Sequence, residues 1–420
     1  MFFPDRNSSN TAIVSSNFPV PVLFYDLKTS IATHMRNFEL YVPTKIVFGQ
    51  GEIRKLSALV PKDQQILMLY GGGSIKKNGI YDQVMEALAG FEVTEFGGIE
   101  PNPEYTTLMR ALEVIKREKI GFMLAVGGGS VIDGVKFLSS AALFEGDDPW
   151  EILAKKIRTH VGLPFGAVLT LPATGSEMNS GAVVNRSETR EKLSMGGPGL
   201  FPQFSICDPS VVRSLPPRQI ANGIVDAFTH VMEQYMTYPA DAWLQDRISE
   251  GILKTLMEVA PRIMADPSDY AAAANFMWSC TMALNGYIQK GVPTDWSVHM
   301  IAHELTAHFG IDHARTLAVI LPSAYTHQFE KKKEKLAQYA ERVLDIHAGT
   351  VEEKARQAID RTESFFHSLG IDTRLSDYTD QYPGFAQTVA DALVSHGMTH
   401  LGEHKDITPE VAARIVEMAY

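Results

Sequence analysis

The stretch DWSVHMIAHELTAHFGIDHA, Asp295 to Ala314, carries four of the chain's 13 histidines: His299, His303, His308 and His313. Imidazoles at this density suggest a metal site or acid–base chemistry. HELTAH begins like the zinc-protease pattern His-Glu-x-x-His, which needs both histidines on one helical face. Here the second histidine comes one residue late, and at ~100° per residue His303 and His308 point roughly 140° apart. His299 and His303, four apart, do share a face. The protease reading is poor, so any partners of these histidines must come from elsewhere.

A second stretch, GIVDAFTHVMEQY, places Asp226 and His230 four apart on one face of an apolar helix. Such residues in an apolar stripe are costly unless paired or coordinating an ion. A buried Asp–His hydrogen bond would explain them alone. Together with the histidine-rich stretch, one carboxylate and three imidazoles would offer Zn²⁺ or Fe²⁺ a compact N/O shell.

Three turns suit a phosphate. AVGGGSVIDGVK, Ala125 to Lys136, follows a strand and opens a helix, with Gly127, Gly128, Gly129 and Ser130 at the junction. Glycine lets the backbone approach an anion, and the helix start supplies free N–H groups. The alternative is a tight turn with no ligand. YGGGSIKK, Tyr70 to Lys77, and LPATGSEMNS, Leu171 to Ser180, are the other two. Each alone is weak, but three at one edge of a sheet point to a dinucleotide site.

The elements that must position these residues are legible in the periodicity. Between residue 45 and about 210, apolar runs such as QILMLY, EVTEF, GFMLAV and AVLTLP alternate with helical stretches such as PEYTTLMRALEVIKREK. That alternation predicts an α/β, Rossmann-like parallel sheet with helices on both faces and ligands at the carboxyl ends of its strands. MRNFELYVPTKIVFG, from Met35, also reads as strands. From about 215 strand signals vanish and long helical patterns follow. The expected division is 1–34 as a loose extension without signal-peptide character, 35–212 as the α/β domain and 213–420 as an all-α domain, with a shared cleft between them. The alternative to a loose extension is that Met35 is the natural start.

The length of 420 residues exceeds the size at which single cores stop growing, about 250–300 residues. A net charge of -11 argues against nucleic acid or an anionic membrane. No apolar run reaches the ~20 residues that span a bilayer. The two cysteines, Cys207 and Cys280, lack metal spacing and read as strand and helix interior, which suggests a reducing, cytoplasmic setting.

From roughly Asn37 to the C-terminus the chain resembles the iron-containing, group III alcohol dehydrogenases, and is most similar to their NADPH-dependent butanol dehydrogenase and aldehyde reductase branch. GGGSVIDGVK, LPATGSEMN, GIVDAFTHVMEQY and HMIAHELTAHFGIDHA carry the resemblance. It implies metal ligation by Asp226, His230, His299 and His313, and a non-ligand role near the nicotinamide for His303. His308 matches nothing functional. The resemblance further puts Gly127 to Ser130 on the pyrophosphate, Thr170 and Thr174 on the adenine side, and Asp133, Asn179 and Lys192 by the nicotinamide half. A homodimer is the family expectation.

The implied chemistry is reversible hydride transfer between NADP(H) and a small aldehyde or primary alcohol, with one divalent ion, Fe²⁺ or Zn²⁺, as Lewis acid. His303 is a plausible proton relay. Two rivals are a dehydroquinate-synthase-like lyase using NAD⁺ and a metal-binding module without catalysis. The lyase would want several basic residues for a phosphorylated substrate, and the site segments are poor in arginine. NADP(H) is expected over NAD(H) because Gly71, Gly72, Gly73 and Ser74 end their strand with no acid until Asp82. Lys76 or Lys77 could add charge, or could simply be solvated.

Overall fold

The computed structural model describes residues 34–381 and 384–420, so the expected loose extension lies, but for its last residue, outside the described residues. Among the described residues eight strands form: β1 (Lys45–Phe48), β2 (Ile66–Tyr70), β3 (Val93–Phe96), β4 (Phe122–Gly128), β5 (Phe165–Leu171), β6 (Gly181–Arg186), β7 (Glu191–Gly196) and β8 (Phe204–Cys207). Six make one sheet in the order β1-β8-β5-β4-β2-β3, every adjacent pair parallel. The central strands are continuous apolar runs buried on both sides, as a helix-covered parallel sheet requires.

The helices between them are α1 (Leu56–Leu59), α2 (Ile80–Ala87), α3 (Tyr105–Arg117), α4 (Gly129–Ala141) and α5 (Glu151–Ala154). From residue 217 onward the described residues are mainly helical: α6 (Pro217–Tyr235), α7 (Trp243–Ala265), α8 (Tyr270–Ala283), α9 (Ser297–Phe309), α10 (His313–His327), α11 (Phe329–Arg342), α12 (Val351–Ser368), α13 (Phe385–Ser395) and α14 (Pro409–Met418). Among the described residues no helix is long and apolar enough to cross a membrane. Cys207 and Cys280 are buried and unbridged.

The sheet order reverses between β2 and β4, because the chain leaves β2 for β3 on one side and returns to β4 on the other. Such a switch point opens a crevice at the carboxyl ends of the strands. Tyr70 pairs with Val126 and Gly128 with Leu171, so all three small-residue turns stand side by side there.

Two expectations change. Of the segment from Met35 to Gly49 only Lys45–Phe48 is a strand; upstream, Arg36 N donates to the Gly291 carbonyl (2.9 Å) instead of a sheet partner. The antiparallel pair β6–β7 was not anticipated. Its turn, Ser187 to Arg190, is polar and leaves Arg190 at φ 56°, a hairpin signal in retrospect.

Candidate active site

Three helices converge on the metal-type residues. α6 supplies Asp226 and His230 one turn apart, α9 supplies His299, and α10 opens with His313 after Gly310 ends α9 at φ 67°. Ligand-capable atoms of Asp226, His299 and His313 lie within 4.8 Å of one another. His230 joins from the side: its Nδ1 is 3.7 Å from Asp226 Oδ1 and its ring stacks on His299 at 4.5 Å.

The decisive feature is what these atoms lack. Asp226 Oδ1, His230 Nδ1, His299 Nε2 and His313 Nδ1 are all buried without a hydrogen-bond partner. One such atom costs about 1–3 kcal/mol, and here four share one small volume. A carboxylate oxygen facing imidazole lone pairs is repulsive until a cation sits among them. Burial pushes His230 down to about 4 and His299 down to about 3. Burial also holds His303 and His313 well below the ordinary histidine value. All four are therefore neutral near pH 7, the form that ligates. The donor set fits Zn²⁺ or Fe²⁺.

His303 lines the same cleft, its ring 4.7 Å from that of His313 and 6.4 Å from that of His299. His308 faces away: its Nδ1 donates to the Glu304 carbonyl (2.9 Å) and its ring packs edge-on against Phe385.

A cleft of about 680 Å³ joins this cluster to the sheet edge, and Gly129, Ser130, Asp133, Thr174, Asn179 and Lys192 line it. Gly128 precedes α4 without a side-chain cap, so the first N–H groups of that helix are available to an anion. Two positions of the turn have no room for a side chain without displacing a neighbour. A Cβ on Gly127 would lie 2.4 Å from Val131 Cγ2, and one on Gly129 2.4 Å from Thr174 Oγ1. Gly127 and Gly128, Thr170 within β5, and Gly71 to Ser74 fall outside this lining.

The cleft wall rests on a network that periodicity could not reveal. Lys136 Nζ donates to Ser176 Oγ (2.7 Å), Asn179 Oδ1 (2.8 Å) and the Gly181 carbonyl (2.7 Å). Ser176 in turn donates to Asp133 Oδ1 (2.6 Å), and Val183 N to Asp133 Oδ2 (3.0 Å). This ties α4 to the root of the β6–β7 hairpin, which carries Lys192 into the cleft. Lys192 Nζ donates to Asn102 Oδ1 (2.9 Å), and burial pushes it down to about 8 despite Asp226, Asp133 and Glu304 nearby.

The glycine turn after β2 has a neighbour that the linear sequence hid. Glu95 on β3 accepts from Tyr70 Oη (3.1 Å), Lys76 Nζ (3.1 Å) and Tyr81 Oη (2.6 Å). The absence of an acid before Asp82 is thus a statement about one segment, and the adjacent strand supplies a carboxylate already paired with Lys76.

Comparison with known proteins agrees with this arrangement. The family model described as iron-containing alcohol dehydrogenase matches residues 43–209, and that for the C-terminal part of the Fe-containing alcohol dehydrogenase family matches residues 220–420. The NADPH-dependent aldehyde reductase YqhD of Escherichia coli is 50% identical over 92% of this chain and 100% of its own length. The probable NADH-dependent butanol dehydrogenase 1 of Bacillus subtilis is 41% identical over 91% and 99%. Among solved structures, E. coli YqhD superposes with a TM-score of 0.91 at 49% identity, covering 92% of this chain and all of that one. The NADH-dependent butanol dehydrogenase A of Thermotoga maritima gives 0.88 at 36%, covering 92% and 99%. With six parallel strands, a helical second half and a metal-type cluster in the cleft, the chain belongs to the iron-containing alcohol dehydrogenase family.

Proposed function

We propose that the protein catalyses reversible hydride transfer between NADP(H) and small aldehydes or primary alcohols, using one divalent ion, Fe²⁺ or Zn²⁺, held by Asp226, His230, His299 and His313. The four unpaired donors facing the cofactor-sized cleft carry this reading. When bound, the nicotinamide carries the hydride and the ion supplies Lewis acidity toward the substrate oxygen.

The chain's own residues do the rest. The start of α4 receives the pyrophosphate, while Asp133, Asn179 and Lys192 wall the nicotinamide half. His303, neutral and facing the cleft, can accept a proton at one ring nitrogen and release one from the other toward the product oxygen. A lyase acting on a phosphorylated substrate would want arginines, and Arg218 in the cleft lining is already tied to Asp312 (2.8 Å). The same proposal includes a cytoplasmic homodimer, for which sedimentation of the metal-loaded protein is the check. Metal-loaded protein should consume NADPH steadily with butanal; no consumption would remove the dehydrogenase reading.

His303→Ala should keep its metal yet lose kcat by about 10²-fold or more, the usual worth of a positioned acid–base group. Elemental analysis beside kinetics separates the two effects. Metal loss would instead make His303 a ligand.

Cofactor choice is testable at Gly72. A Cβ there meets nothing within 4 Å and the backbone is not left-handed, so Gly72→Asp should fold normally. The new carboxylate should repel a ribose 2′-phosphate. The ratio of kcat/KM for NADPH over NADH should fall about tenfold or more, the equivalent of ~1.4 kcal/mol. The unaltered protein should favour NADPH; parity between the cofactors would refute the preference.

A further inference from the structure

The start of α9 is finished by other parts of the chain. Trp296 occupies its cap position at φ 64° and offers no side-chain hydrogen bond. The first three N–H groups of the helix are nevertheless all satisfied. Ser297 N donates to Asp295 Oδ1 (3.0 Å), Val298 N to Glu233 Oε1 (2.7 Å) and His299 N to Glu233 Oε2 (3.1 Å). Glu233 Oε2 also meets His299 Nδ1 in a short contact. The Glu233 side chain is fully buried, and it comes from α6, two turns beyond Asp226.

This arrangement decides which nitrogen of His299 faces the cluster. Burial and the Asp295 charge raise the Glu233 carboxyl, while the Val298 and His299 N–H groups on its two oxygens favour the ionised form. As a carboxylate it accepts and cannot donate, so Nδ1 carries the proton and Nε2 is left bare. That bare Nε2 is the buried, unpartnered atom 4.0 Å from Asp226 Oδ1. The helix N-terminus favours a negative group at this point, and ionic hydrogen bonds offset part of the cost of burying it.

We propose that Glu233 is a positioning residue for the metal: it fixes the His299 tautomer and locks the first turn of α9, so that Nε2 is aimed at the ion. The proposal rests on the metal site already assigned. It makes α6 the source of two ligands and of the group that orients a third.

The test uses the full chain stripped of metal, with Zn²⁺ affinity read by competition against a chromophoric chelator. Glu233→Gln replaces one acceptor oxygen by a donor, so one of the three contacts must fail. It should weaken Zn²⁺ binding about 10–100-fold, the usual effect of losing a carboxylate that orients a ligating histidine. Glu233→Asp keeps the acceptor chemistry on a shorter arm and should recover part of the affinity. With Co²⁺ in place of Zn²⁺, Glu233→Gln should also shift the visible absorption band, which a general loosening of the fold would leave in place. Zn²⁺ affinity within threefold of the parent for both variants would overturn the proposal, even if their melting temperatures fell. A parent protein that bound no Zn²⁺ at all would overturn the metal site itself.

Discussion

Replacing Asp226 with alanine is expected to yield a folded protein that holds no metal and turns over on the order of 10³-fold or more slowly, the equivalent of several kcal/mol of lost Lewis-acid stabilisation. Asp226 Oδ1 is the hub of the cluster, 3.7 Å from His230 Nδ1 and 4.0 Å from His299 Nε2, and it makes no hydrogen bond that folding would miss. Burial raises its carboxyl above the ordinary value, so in the metal-free state the group is a burden. The stripped variant should therefore melt at or above the stripped parent. Adding Zn²⁺ should raise the parent's melting temperature by mass action and leave that of the variant unmoved. Elemental analysis gives the direct reading, and normal metal content in Asp226→Ala would overturn the ligand assignment. His299→Ala should also lose the metal, although it frees Glu233 from one partner and so brings less relief to the metal-free state.

The parts of this site that were legible in the sequence are those whose logic is local. Glycines following buried strands could be read as turns at the carboxyl edge, and the four-residue spacing of Asp226 and His230 could be read as one helical face. The same rule also put His299 and His303 on one face without separating their tasks. His313 was beyond it, because a left-handed Gly310 lies between and α10 starts in a new direction. Only the family resemblance named it, and the structure places it in the cluster with Asp226 and His299.

Glu233 went unnoticed though the signal was present. It lies seven residues after Asp226 on the same apolar face, where an acid needs a partner as much as Asp226 does. Lys136 and Glu95 were hidden differently: each is explained by strands and turns distant in sequence, which periodicity along one segment cannot supply. Lys76 illustrates the consequence, since a lysine free to meet a phosphate in the sequence is ion-paired with Glu95 in the fold.

The start of α11, FEKKKEKLAQ, is rich in charge, yet Lys332 turns inward. Its Nζ is 2.8 Å from Asp295 Oδ2 and 2.8 Å from Glu403 Oε1, and it donates to the Met236 carbonyl (2.7 Å). The ion-pairing side chains are 2–3% exposed, so this is a buried cation between two buried anions. Lys332→Ala should lower stability in urea unfolding at pH 7 by about 3–5 kcal/mol, because it strands both carboxylates. The pH dependence identifies the cause. In the unaltered protein burial works against the charge on Asp295, but Lys332 and Ser297 hold it below its ordinary value. Its contribution is thus present above the unfolded value and lost as pH falls through the folded one. Glu403 runs the other way, raised by burial, and the Lys332 contribution persists until pH rises through its elevated folded value. Without the lysine, burial raises both acids with only Ser297 left to oppose it at Asp295, so the folded state binds more protons than the unfolded one. The deficit of Lys332→Ala should then shrink as the pH is taken from about 8 to about 5. A deficit that stayed constant or grew over that range would mean lost packing rather than stranded charge. Because Asp295 also caps Ser297 at the start of α9, Zn²⁺ affinity should weaken in the same variant, by less than in Glu233→Gln, where a Glu233 contact to the first turn of α9 is itself lost.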